Sequence, residues 1–110
     1  MSKTNENLSL YQQNRGFIGK YASLWEDWME EHYPDLVDEM WENGTFRDVM
    51  RSVEDMANEY KDLLDRQYDE THPRPTCGSF EKIVSWEYTR EFYTDSATMR
   101  DRVLYPRTTV

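Results

Sequence analysis

The chain has 110 residues, enough for one domain with a modest core and too few for two. Only 37% of residues are apolar, but 15% are aromatic, with four Trp and eight Tyr, so a core has to be built from a few large rings. The formal net charge of -9 argues against direct binding to nucleic acid or anionic membranes and favours basic partners. No apolar run approaches the roughly 18 residues of a membrane span. The single Cys77 cannot form an internal disulfide, and residues 1 to 14 lack the basic-then-apolar pattern of a secretory signal, so a cytoplasmic location is expected.

Residues 1–16 are polar, rich in Asn and Gln, and end in Arg15-Gly16, which predicts a mobile arm with Leu8, Leu10 and Tyr11 as docking residues. A first helix is expected from about 17 to 33. Ile18, Tyr21, Ala22, Trp25 and Met29 form its apolar stripe, widened by Phe17, Leu24 and Trp28, while Ser23, Glu26, Asp27, Glu30 and Glu31 form an acidic face. Pro34 ends that helix and suits the first turn of a second, from 35 to 43, which carries Leu36, Val37, Met40 and Trp41 and stops at Gly44.

Thr45 and Asp48 resemble a capping box at the start of the longest pattern, a helix from 46 to 69. Val49, Val53, Met56, Tyr60, Leu63 and Gln67 recur at spacings of four and three, broadened by Phe46, Met50, Ala57 and Leu64. This seam reads as a core face, with a homodimer seam as the alternative. Pro73, Pro75 and Gly78 then break the helix. From Val84 to Tyr88 apolar residues alternate with Ser85 and Glu87, which favours a strand; Phe80, Ile83, Val84 and Phe92 on one side of a helix is the alternative. Ser96 is placed to cap a short helix carrying Met99, Val103 and Leu104. The expected architecture is therefore mainly α: a three-helix bundle over 17–71, followed by a C-terminal extension, 72–110, with short strands.

The segments Ile18-Gly19-Lys20-Tyr21, Glu31-His32-Tyr33-Pro34, Asn43-Gly44-Thr45-Phe46 and Val53-Glu54-Asp55-Met56-Ala57 together resemble the TnpV-like family of small transposon-encoded proteins. The resemblance covers residues 18 to about 70 and implies a helical fold and a mobile-element origin. Leu24, Trp25, Glu26 and Asp27 stand where the family's first helix is basic, and Ala22 where a second glycine is usual.

Charge is unevenly distributed. Residues 72–110 hold six Lys or Arg against five Asp or Glu, whereas residues 1–71 hold seven against seventeen. The pairs Glu26/Glu30, Asp27/Glu31, Asp35/Glu39, Asp38/Glu42, Asp55/Glu59 and Asp65/Asp69 set like charges four residues apart, at a combined cost on the order of 1 to 3 kcal/mol before screening. A solvated face is the ordinary reading of such runs. The functional reading is mimicry of nucleic acid, with Glu26, Asp27, Glu30, Glu31, Asp35, Asp38, Glu39, Glu42, Asp55, Glu59 and Asp62 as partner-binding carboxylates. Their partner would be a basic nucleic-acid-binding protein, such as an RNA-guided or restriction nuclease.

Catalytic chemistry has little to build on. There is no glycine-rich phosphate loop, paired-cysteine site or nucleophile elbow. His32 has no second histidine at ligand spacing, Asp69-Glu70-Thr71-His72 is a single acid-x-x-His pattern, and Cys77 has no basic residue closer than Arg74 and Lys82. A non-enzymatic protein without cofactor or metal is expected.

Overall fold

The computed structural model describes residues 19–110, so the predicted arm, together with Phe17 and Ile18, lies outside the described residues. Four α-helices follow one another: α1 Lys20–His32, α2 Pro34–Asn43, α3 Phe46–Thr71 and α4 Phe80–Thr98. A π-helical segment, Met99–Val103, continues α4 without a break.

The boundaries of α1 and α2 follow from local chemistry. Tyr33 leaves the helical region at φ -138°, ψ 56°, ahead of Pro34, which occupies the first turn of α2. Gly44 ends α2 in the left-handed region at φ 73°. Its N–H donates to Trp41 O at 3.2 Å and the Thr45 N–H donates to Met40 O at 3.0 Å, the paired bonds of a Schellman motif. The expected capping box does not form. Thr45 is near-helical and its hydroxyl reaches back to Met40 O at 3.5 Å, because that bond closes the α2 terminus.

The core lies at the first half of α3. Tyr21, Ala22, Trp25 and Met29 of α1 and Val37 and Met40 of α2 pack with Phe46, Val49, Met50, Val53 and Ala57 of α3, and Val103 joins them from the π segment. Phe46 stands between two indoles, with ring centroids 5.4 Å from Trp25 and 4.6 Å from Trp41. Val49 and Val53 are thus consumed inside the protomer and cannot form a dimer seam; Leu63 and Gln67, expected on the same face, are exposed.

A carboxylate from α3 caps α1. Glu54 Oε1 accepts the Ala22 N–H at 2.9 Å, and its other oxygen accepts Asn58 Nδ2 at 2.6 Å. This satisfies a donor that the first turn of a helix otherwise leaves open, and places a negative charge at the positive end of the helix dipole. Gly19 makes the approach possible. Its φ of 93° and ψ of -170° lie in a region essentially reserved for glycine, and a Cβ there would stand 2.8 Å from the Glu54 carboxyl.

The C-terminal region corrects the expectation of strands: the described residues contain none, and residues 80–98 are one helix. Gly78, at φ 117°, turns the chain, and Ser79 caps α4 by accepting the Lys82 N–H at 3.4 Å. Alternation over 84–88 misled because Val84 and Tyr88, four apart, share one face of a helix while Trp86 lies on the other. Ser96 sits inside α4 and opens no new helix. α4 runs back along the second half of α3 through Arg90–Asp69 (3.1 Å) and Lys61–Glu91 (2.8 Å), and the Trp86 indole donates to His72 O at 2.7 Å. Tyr68 packs between His72, Trp86 and Tyr93. Gly19→Ala is expected to lower the unfolding free energy by about 1 to 3 kcal/mol, and Glu54→Ala by about 0.5 to 2 kcal/mol, both read from urea denaturation monitored by circular dichroism.

Candidate partner-binding surface

The eleven candidate carboxylates divide into three situations. Glu26 is only 3% exposed and is removed from the surface, because it sits at the edge of the α1 stripe that faces the core. Asp27, Glu30 and Glu31 of α1 and Asp35, Asp38, Glu39 and Glu42 of α2 are exposed. Asp55, Glu59 and Asp62 are exposed on α3, but on the side of that helix opposite Val49, Val53 and Ala57.

Helical geometry decides which of these can act together. α1 and α3 turn their apolar faces toward each other, so their acidic faces point away from each other. The α3 group is therefore separate from that on α1 and α2, and Arg51 and Arg66 fall along the same outer stripe. The α2 carboxylates and Glu31 have no such dilution among the described residues. No Lys or Arg occurs between Lys20 and Arg47, and among the described residues no cation pairs with Glu31, Asp35, Asp38, Glu39 or Glu42.

On α2 the arrangement is dense. Val37 and Met40 take the inner face, leaving Asp35, Asp38, Glu39 and Glu42 together on the outer one. Four carboxylates from residue 35 to 42 fall at axial intervals of about 4.5, 1.5 and 4.5 Å, a mean of about 3.5 Å at 1.5 Å of rise per residue. A single strand of B-DNA presents one phosphate per roughly 3.4 Å of axis.

Several other carboxylates are engaged internally, and the sequence alone did not reveal these roles. Asp95 Oδ1 accepts both Tyr21 Oη at 2.6 Å and Lys20 Nζ at 2.8 Å, tying α4 to the start of α1. Burial alone would raise the Asp95 carboxyl, but the hydrogen bonds from Lys20 and Tyr21 hold it below the usual carboxylate range. The Tyr21 phenol is pushed up by burial and by the same bond. Asp101 accepts Arg100 Nε at 2.8 Å and Tyr60 Oη at 2.7 Å, and these bonds lower its pKa to about 2. Lys61 lies between Asp65 and Glu91; desolvation opposes its charge, yet the two carboxylates raise its pKa. No spacing rule marks such pairs, which span 41 to 75 residues for Tyr60, Tyr21 and Lys20.

The residues considered for catalysis do not converge. His32 packs against Trp28 with ring centroids 4.9 Å apart, His72 stacks on Tyr68 at 4.3 Å, and Cys77 is exposed in the loop before α4. Among the described residues no three His, Cys, Asp or Glu side chains are grouped to hold a metal ion. No helix among them is long and apolar enough to cross a membrane. Comparison with known protein families, curated proteins and solved structures finds no match.

Depressed carboxyl groups stabilise the fold above the unfolded-state pKa of about 3.9, and that stabilisation is lost as pH falls through the folded value. For Asp101 the window runs from about 4 down to about 2. Urea midpoints measured across it are expected to fall with pH, and Asp101→Asn is expected to flatten that part of the profile.

Proposed function

We propose that this protein is a non-enzymatic acidic binding protein of phage or mobile-element origin that occupies the basic groove of a nucleic-acid-binding protein, of the host-defence nuclease type. One observation carries the reading: the outer face of α2 presents Asp35, Asp38, Glu39 and Glu42 at a mean axial charge density close to that of a phosphate strand, with no cation paired to them among the described residues. Asp27, Glu30 and Glu31 extend the field onto α1. Such a field steers a basic partner at long range and then competes for the Lys and Arg side chains that would hold phosphates. Trp41 supports the contact chemistry, since its indole is 43% exposed beside these carboxylates and offers a face for an Arg guanidinium. The mobile-element origin is supported by the resemblance of residues 18 to 70 to the TnpV-like family.

Self-association through the Val49 to Leu63 seam loses its support, because Val49 and Val53 are fully buried in the protomer.

The test uses paired readouts. Asp38→Asn with Glu42→Gln removes one like-charge i,i+4 pair, so the variant is expected to gain about 0.2 to 0.5 kcal/mol of stability. It is also expected to lose binding by tenfold or more to a DNA- or RNA-binding protein captured from nuclease-treated host lysate. Capture by the wild type should be reversed by salt and by the partner's own nucleic acid. Equal capture by wild type and variant would overturn the proposal.

A further inference from the structure

α4 is apolar on two sides. Thr94, Ala97 and Thr98 are buried and Ile83, Trp86 and Arg90 half-buried on the side that packs against the rest of the protein. On the solvent side Phe80, Val84, Tyr88 and Phe92 follow one another at four-residue spacing, which keeps them within an arc of about 120°. Their exposures are 78%, 43%, 76% and 69%. A helix on a protein surface ordinarily turns polar residues outward, and an exposed aromatic ridge of this kind marks an interaction surface.

We propose that the occupant of this ridge is a second copy of the chain, packed antiparallel along α4 about a two-fold axis near residue 86. Shape is the first argument. Val84, Ser85 and Thr89 leave a notch between Phe80 and Tyr88, and the groove that they line together with Glu81 has a volume of about 400 Å³. The ridge thus holds both a recess and a projecting ring. A two-fold axis near residue 86 sets Tyr88 of one copy opposite the Val84 notch of the other, and Phe80 opposite Phe92, which is the self-complementarity an isologous interface requires.

Area is the second argument. Aromatic side chains bury about 150 to 250 Å² each, so the three rings at these exposures offer roughly 450 Å², and Val84 brings the ridge to roughly 500 Å² per copy. Complete burial of the ridge on two copies would remove at most roughly 1,000 Å², the lower limit for a specific interface.

Charge is the third argument, and it fixes the direction. Three of the four carboxylates on α4, Glu87, Glu91 and Asp95, are paired with Arg74, Lys61 and Lys20 at 2.8 Å, so among the described residues Glu81, which lines the groove, is the single α4 carboxylate without an ion pair. The unpaired carboxylates of α2 lie near Phe46, at the other end of α3 from the Tyr68–Trp86 contact. That distance is roughly 30 Å along α3, several Debye lengths of about 8 Å. Antiparallel packing sends the two acidic ends in opposite directions; parallel packing would set them side by side.

Sedimentation equilibrium on the full chain is expected to give a dimer, with the dissociation constant raised at least about tenfold by Tyr88→Glu and, separately, by Phe92→Glu, at unchanged helicity. Both side chains are largely exposed, so loss of folding does not compete as an explanation. Spin labels on Cys77, the single cysteine, report the arrangement: two copies related about residue 86 separate these loop positions by roughly 30 Å, counting about 27 Å of axial offset. A monomer at roughly 100 μM would overturn the proposal in favour of another occupant, such as residues 1–18 or an unrelated protein. A dimer indifferent to both substitutions, or a label distance below about 20 Å, would also overturn it.

Discussion

The Glu54 carboxylate at the start of α1 is the contact on which the rest of the arrangement depends. It joins the first turn of α1 to the middle of α3 by a bond to the Ala22 N–H, and it can approach only where Gly19 has no side chain. Once that end is fixed, the rotation of α1 about its axis is fixed as well. Tyr21, Ala22, Trp25 and Met29 turn onto α3, and Asp27 and Glu31 turn to solvent. The acidic surface is therefore a consequence of how α1 is held, with α2 following through the Tyr33-Pro34 turn and the stacking of Trp41 on Phe46. Asp95 reinforces the same end, since Lys20 and Tyr21, which directly follow Gly19, both donate to it.

Much of the helical part was legible because its signals are local. Pro34 and Gly44 act through their own backbone geometry, and each ends or begins a helix where the sequence placed it. The core residues of α1 follow from simple periodicity. The α3 seam was harder, since its pattern admitted two overlapping stripes, and tertiary packing chose Phe46, Val49, Met50, Val53 and Ala57 while leaving Leu63 and Gln67 to solvent. α4 was misread over 84–88 because a helix that is apolar on two sides has no single stripe for the eye to follow. Glu26 shows the same limit at one residue: its neighbours made it part of an acidic face, yet its angle on the helix brings it to the edge of the core. Glu54 and Asp95 could not be read at all, since their partners are distant in sequence.

The chain separates two kinds of surface that conflict when mixed. A strong unpaired negative field repels a second copy, and an exposed aromatic ridge is a liability unless something covers it. Here α2 carries the first and α4 the second, with the length of α3 between them. The ion pairs of Lys20, Lys61 and Arg74 engage three of the four carboxylates of α4 and leave those of α2 untouched.

α3 also spans two regions of unequal cohesion. Its first half is embedded in fully buried side chains, whereas beyond Ala57 it is held to α4 by half-exposed rings and by ion pairs at the surface. Contacts of the second kind contribute little each, and a segment that rests on them opens at a fraction of the free energy needed to unfold the whole chain. The hairpin formed by the end of α3 and the start of α4 is thus expected to open as a unit of its own. Its amides are expected to exchange with solvent through excursions that leave the Trp25–Phe46 region closed, which would give one continuous helix two lifetimes along its length.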